Sequence, residues 1–275
     1  MATANDPHPI DAPPESLRLY AAWGCPFCHR VLAGLHLTGL ADRMAITWMN
    51  DIKRDNGWKI DEPPDPVFGA SLIKEVYAAS DPDGDHRPAV PVLIDEQDRK
   101  LASTESPAML RYITTGFAGR KPVRVDLCPG DLREEINLLN SWIHDHINRA
   151  VYTVGFAQEQ SDYEEKAFAL FRDLDTLDGR LSESSFLFGD RLTECDLFLY
   201  GTLKRFDIVY NPLFRCSLKR IADYSELSRF VTKIAEQPGI SDSFNLERTK
   251  RHYFLSLIHS PAGTLNPNPS GIVPI

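Results

Sequence analysis

Cys25-Pro26-Phe27-Cys28 carries the clearest chemical signal in the chain. It follows the apolar run Leu17 to Ala22 and opens a stretch in which Val31, Leu32, Leu35 and Leu40 give an apolar stripe at helical spacing. A thiol becomes a useful nucleophile when ionised, and the unpaired N–H groups and positive dipole end of a helix N-terminus favour the thiolate. Cys25 is placed to receive both. Pro26 falls at the first helical position, where its missing N–H costs nothing and its fixed φ suits the helix. Cys28, one turn inward, is spaced to attack a mixed disulfide on Cys25 and so to act as a resolving thiol. The competing use of such a pair is half of a zinc site. The other cysteines, Cys128, Cys195 and Cys216, form no second Cys-x-x-Cys, so redox or transferase chemistry is expected and a metal is not.

The elements that must position these thiols follow in order. Leu17 to Ala22 and Ala45 to Met49 read as strands joined by the cysteine-led helix, which predicts a parallel pair with a right-handed crossover. Asn50 to Phe68 is polar and Pro-rich and is expected to be a loop, which Trp58, judged by residue type alone, staples to the core. Ser71 to Ala79 is helical by the spacing of Leu72, Val76 and Ala79. Ala89 to Ile94 reads as a buried strand, although Pro91 cannot donate to a ladder. A cis Val90-Pro91 bond that turns free backbone groups toward a bound peptide accounts for it and fits a thioredoxin-like fold. After a turn at Asp95 to Lys100, Leu101 to Ser103 is the last strand. Glu105-Ser106-Pro107 then starts a helix whose N-terminus, with Ser106, could equally be a plain helix start or hold a carboxylate.

Gly116 to Gly130 is a Gly/Pro/basic connection, and beyond it the pattern is helical throughout. Leu132, Ile136, Leu139, Ile143 and Ile147 mark one long amphipathic helix, and Tyr163, Ala167, Leu170, Leu174, Leu177 and Leu181 mark another. Thr193 to Asp196 forms a capping box with Asp where Glu or Gln is usual, and Cys195 inside it is expected to be an inert buried thiol. Tyr152, in a segment between the long helices, and Tyr253, near the end, read by type alone as core aromatics; His252 reads as a capped or solvated residue. The organisation expected is a flexible arm over 1–15, an α/β thioredoxin-like domain over 16–118, a linker over 119–129, an all-α domain over 130–258 and an extended tail over 259–275.

Composition bounds the function. A chain of 275 residues, 43% of them hydrophobic, can bury two modest cores. No apolar run approaches ~20 residues, so no membrane span is expected. A net charge of −9 argues against a nucleic-acid partner. Five cysteines without a scaffold spacing, behind a start that lacks the features of an export signal, point to reduced thiols in a cytoplasmic protein.

An α/β domain that opens with strand, Cys-Pro-x-x, helix and a later Val-Pro, followed by an all-α domain, resembles the cysteine-type cytosolic glutathione transferases. Within them, several further motifs resemble the glutathionyl-hydroquinone reductases, the Xi class: Asn56-Gly57-Trp58, Val90-Pro91-Val92-Leu93, Glu105-Ser106, Tyr152 to Ala157, Phe188 to Thr193, Arg205-Phe206-Asp207, Lys250-Arg251-His252-Tyr253, and Asn266-Pro267 with Ile272-Val273-Pro274. The resemblance implies glutathione as cosubstrate, a homodimer, and reductive deglutathionylation of aromatic glutathione conjugates, the glutathionyl-hydroquinones. It also implies that Cys25 is the nucleophile, that Val92 beside Pro91 bonds the cysteinyl part of glutathione, and that Glu105 and Ser106 hold its γ-glutamyl end. Tyr152 and Tyr253 would sit over the reacting sulfur and the aromatic ring, and Trp58 would wall the site rather than staple the loop. One departure stands out: the class usually has Cys-Pro-Trp-Ala, and here Phe27 replaces the Trp that borders glutathione while Cys28 adds a second thiol. That second thiol motivates an alternative, a glutaredoxin-like or omega-like thiol transferase acting on mixed disulfides or dehydroascorbate. A non-catalytic glutathione-transferase-like binding protein is the third reading.

Overall fold

The structure, a computed structural model, describes residues 10–256. The expected tail over 259–275 and the first nine residues of the expected arm lie outside that range. The rest of the arm is not loose: Ile10 is buried and the Ala12 carbonyl accepts a 2.6 Å hydrogen bond from the Tyr112 hydroxyl.

The chain forms two compact units. The first begins with β1 (Leu17–Ala21), α1 (Pro26–Thr38), β2 (Ala45–Trp48), α2 (Ile73–Ser80), β3 (Val92–Asp95), β4 (Lys100–Ser103), α3 (Ser106–Thr114) and the short α4 (Gly116–Gly119). The sheet order is β2-β1-β3-β4, with β1–β2 parallel and the other two pairs antiparallel. β1 is therefore interior, and Leu17, Leu19, Tyr20 and Ala21 are all buried, the near-continuous apolar run expected of a strand covered on both faces. α1 runs from the cysteine motif to Gly39, whose φ of 75° provides the left-handed cap that ends it. It packs closely on α3: a Cβ on Gly34 would lie 2.4 Å from Leu110 Cδ1. Pro91 needs no place in a ladder, because the Val90-Pro91 bond is cis and β3 starts at the following residue.

The second unit, Leu127–Gln237, holds α5 (Arg133–Ile143), α6 (Ala150–Gly155), α7 (Gln160–Arg180), α8 (Glu194–Arg205) and α9 (Ser225–Ala235). Tyr152 lies inside α6 and not in a connection. The stripe Ile143, Ile147, Val151 and Val154 continues through a π-helical turn at His144–Asn148, so the buried face extends past Ile147, where the apolar spacing alone ends the helix. α8 begins as expected: the buried Asp196 carboxylate accepts from Thr193 N at 2.7 Å, Thr193 Oγ1 at 3.0 Å and Leu187 N at 2.9 Å.

The division falls elsewhere than the expected domain limits. Cys128 and Leu127, assigned to the linker, are buried in the second unit, and the described residues 238–256 belong to the first unit, not to an all-α domain over 130–258. That segment holds a 3-10 turn at Ile240–Ser243 and α10 (Leu246–Leu255). Polar bonds explain the assignment. Arg248 reaches Asp51 at 2.6 Å and Asp61 at 2.7 Å, Arg251 reaches Asp51 at 3.2 Å, and Thr249 Oγ1 donates to the Trp23 carbonyl at 3.2 Å. Periodicity marks α10 as amphipathic but carries no information on which core receives it. No helix of the described residues is long and apolar enough to cross a membrane.

Candidate active site

Cys25 is the N-cap of α1, with extended backbone angles, φ −74° and ψ 120°. The Cys25 N–H donates to the Ala22 carbonyl at 3.1 Å, and the Cys25 carbonyl takes the first helical bond from His29 N at 3.1 Å. The sulfur is left at the helix N-terminus, where it accepts the Cys28 N–H at 3.4 Å and, as a thiol, donates to the Val90 carbonyl at 3.4 Å. Ionisation gives up the second bond and keeps the first, the one that supports negative charge. The residue is 8% exposed.

Two cations sense the charge of this sulfur. Burial lowers the Arg30 pKa to about 9, and the Cys25 thiolate opposes that fall. Lys53 is lowered by burial and by Arg87, again against the opposing charge of Cys25. Each interaction is an attraction between a cation and the charged form of the sulfur. Residue type and spacing along the chain single out neither as part of the site. Arg30 carries a usable signal, a cation one helical turn past the cysteine, whereas nothing local marks Lys53.

Cys28 is fully buried, and its sulfur accepts the Ala22 N–H at 3.5 Å. Phe27 is half-buried, with the Arg30 guanidinium 5.1 Å from its ring centroid. Val92 pairs with Tyr20 of β1, and the β3–β4 ladder starts one residue later, at Leu93 opposite Ser103. The Val90 carbonyl, bonded to the Cys25 sulfur, brings the cis Val90-Pro91 bond beside it, and Val92 follows as the first residue of β3. Glu105 is the exposed N-cap residue of α3, and Ser106, its first helical residue, is buried.

Trp58 belongs to the core of the first unit and is 5% exposed, which is how a staple is placed. It is linked to the cysteine turn through α10: its ring stacks on His252 at 4.8 Å and 17°, and Lys53 Nζ lies 5.6 Å from its centroid. Of the two expected states of His252, capped or solvated, the first holds. It is 4% exposed, its Nδ1 donates to the Asp51 carbonyl at 2.9 Å, and its ring meets the edge of Tyr253 at 5.0 Å. Tyr253 is itself buried. The first unit thus unites Cys25, Cys28, Pro91, Val92, Trp58 and Tyr253 around one turn and its packing partners. Tyr152 belongs to the second unit, where its hydroxyl lies 3.4 Å from that of Tyr210 and its ring meets Phe214 edge-on at 5.3 Å. Among the described residues, no group of three or more His, Cys, Asp or Glu could hold a metal ion.

A thioredoxin-like sheet with a cis-proline beside a helix-capping cysteine, and a second unit made of helices, has the build of a cysteine-type glutathione transferase. Two family models agree: glutathione S-transferase, N-terminal domain, over residues 24–115, and glutathione S-transferase, C-terminal domain, over residues 162–232. The chain is 37% identical over 266 residues to the glutathionyl-hydroquinone reductase PcpF of Sphingobium chlorophenolicum, covering 95% of this chain and 83% of that protein. It is 34% identical to the glutathionyl-hydroquinone reductase YqjG of Escherichia coli strain K12, covering 95% and 79%. The glutathione-bound structure of YqjG matches with a TM-score of 0.86 at 33% identity, over 96% of this chain and 85% of that one. The glutathione transferase Xi of Phanerochaete chrysosporium matches with a TM-score of 0.85 at 34% identity, over 95% and 94%. The chain belongs to the glutathione transferase family and, within it, to the Xi class of glutathionyl-hydroquinone reductases.

Proposed function

We propose that this protein uses glutathione to remove glutathione from glutathionyl-hydroquinones, with Cys25 as nucleophile. The Cys25 thiolate attacks the sulfur of the conjugate, and a disulfide forms between Cys25 and the glutathionyl group. The carbon–sulfur bond breaks, its electron pair passes to the ring carbon, and a proton arriving there completes the free hydroquinone. The thiolate of a second glutathione then attacks the mixed disulfide, releasing oxidised glutathione and regenerating Cys25. Expelling carbon is the demanding step, and a positioned acid contributes roughly 10²–10⁴ in rate to such a proton transfer. The hydroxyls of Tyr152 and Tyr253 are assigned to it by resemblance. Val92 would pair with the peptide backbone of glutathione, and Glu105 with Ser106 at the α3 N-terminus would hold its γ-glutamyl end.

The observation that carries this reading is the Cys25 sulfur itself, on the Cys28 N–H at the start of α1 and beside Val90-Pro91. The names of the similar proteins support the choice of substrate. The surroundings of Cys28 favour a one-thiol reaction over dithiol exchange, because its sulfur has no exposed surface. A homodimer in a reducing cytoplasm is part of the same reading.

Incubation with glutathione and glutathionyl-menadiol tests the proposal: wild type should release free menadiol, Cys25→Ala should release none, and Cys28→Ala should stay within about twofold of wild type. Silence from wild type, or undiminished release by Cys25→Ala, rejects it. A turnover deficit in Cys28→Ala, together with an internal Cys25-Cys28 disulfide by mass spectrometry, would move the assignment to a dithiol transferase.

A further inference from the structure

His252 stands about 230 residues from the cysteine motif, and its ring lies on the residue just before the nucleophile. A Cβ built on Gly24 would fall 2.4 Å from both Cγ and Cδ2 of the imidazole, so the ring occupies the space that any larger side chain would take. The ring is held from several directions. A carbonyl only accepts, so the 2.9 Å contact with the Asp51 oxygen fixes the proton on Nδ1. Ser256 Oγ lies 3.4 Å from the same nitrogen, Trp58 stacks on the ring, and Tyr253 meets it edge-on. Asp51 is in turn bound by Arg248 and Arg251 of α10, and the Lys53 N–H donates to Ser256 Oγ at 2.9 Å. The segment that follows β2 and α10 therefore form a polar-locked bracket, with the imidazole wedged between Trp58 and the turn at Gly24.

We propose that His252 is a positioning residue for Cys25: its imidazole, locked by the Asp51 carbonyl and Trp58, braces the Gly24-Cys25 backbone and holds the thiol on the α1 N-terminus. The inference rests on Cys25 being the nucleophile. It explains why a glycine precedes the cysteine, since Gly24 is where the ring must approach. It also gives the bracket a catalytic consequence, because a capping sulfur loses its N–H bond if the turn shifts by a fraction of its length. Lys53, the charged group over Trp58, and Arg30 on α1 are the cations whose distance from the sulfur such a shift would change.

The test is the pH dependence of Cys25 alkylation by iodoacetamide in the full-length protein, read by mass spectrometry on the Cys25 peptide. His252→Asn keeps a donor for the Asp51 carbonyl and removes the ring. It should raise the alkylation midpoint by about half a pH unit or more. It should also lower kcat for glutathionyl-menadiol by at least about tenfold, with KM for glutathione little changed. His252→Phe restores the ring and should recover most of both losses. An alkylation midpoint in folded His252→Asn equal to that of wild type overturns the proposal, as does a Phe variant no better than the Asn one. Should His252→Asn fail to fold, Gly24→Ala forces a methyl into the same contact; the proposal requires the same upward shift there and falls if the midpoint is unmoved. Alkylation needs no glutathione conjugate, so a wild type that releases no menadiol while these shifts occur would reject the substrate and leave the role of His252 standing.

Discussion

Cys25 and Cys28 share one motif, yet their sulfurs have different surroundings. The first caps a helix beside Val90, within reach of the fields of Arg30 and Lys53; the second is sealed against the Ala22 N–H. Reactivity follows the thiolate, so the proposed reaction asks for a nucleophile at the first site and only for packing at the second. The Tyr152 hydroxyl offers a way to separate the two chemistries. Expelling a carbon leaving group needs a proton, whereas exchange with a disulfide expels a stable thiolate. Tyr152→Phe should therefore lower kcat on glutathionyl-menadiol by about 10²-fold and leave reduction of a simple glutathione mixed disulfide within a few-fold. Equal losses on both substrates would remove Tyr152 as an acid.

α8 depends on a buried carboxylate. Asp196 closes the helix start through three hydrogen bonds, and burial nevertheless raises its pKa from 3.8 to about 6. The folded value lies above the unfolded one, so the native state holds this proton over the window between them. Its stabilising contribution is complete below pH 3.8 and is lost as pH rises through about 6. A tenfold difference in proton affinity between the folded and unfolded states is worth about 1.4 kcal/mol. Urea unfolding of wild type and Asp196→Asn across pH 4 to 7 should show a downward step in wild type that the variant lacks. The variant should also be less stable throughout by roughly 1–3 kcal/mol, because an amide must turn its NH2 toward either the Thr193 donors or the Leu187 N–H while its oxygen serves the other. Parallel curves would refute the assignment.

The chain returns to complete its first unit after building the second. Cutting it after Gln237 would remove Thr249, His252 and Tyr253, all buried in the first unit, and expose Trp58. Burial of one large apolar side chain is worth about 1.5–3 kcal/mol, and several are involved here. A protein ending at Gln237 should therefore lose cooperative unfolding of the first unit and the protection of the Cys25 region from hydrogen exchange, while the α7 and α8 amides stay protected. An unchanged exchange pattern around Cys25 would show that α10 is dispensable to that unit.

Local patterns determined much of this protein. The cysteine at a helix start, the cis-proline, the strand and helix sequence of the first unit and the α8 capping box follow from residue types and spacings of a few positions, because turns, caps and periodicity are short-range effects. The Xi-class motifs extended that reading to the family. Tertiary structure alone decided which core receives α10, that Ile10 and Ala12 are packed, and that His252 rests on Gly24 and Trp58. Those outcomes join segments up to about 230 residues apart, and an amphipathic stripe specifies that a face must be covered without specifying what covers it. The electrostatic setting of Cys25 is of the same kind, since a charge acts through distance in space and Lys53 feels the sulfur only once the chain has folded.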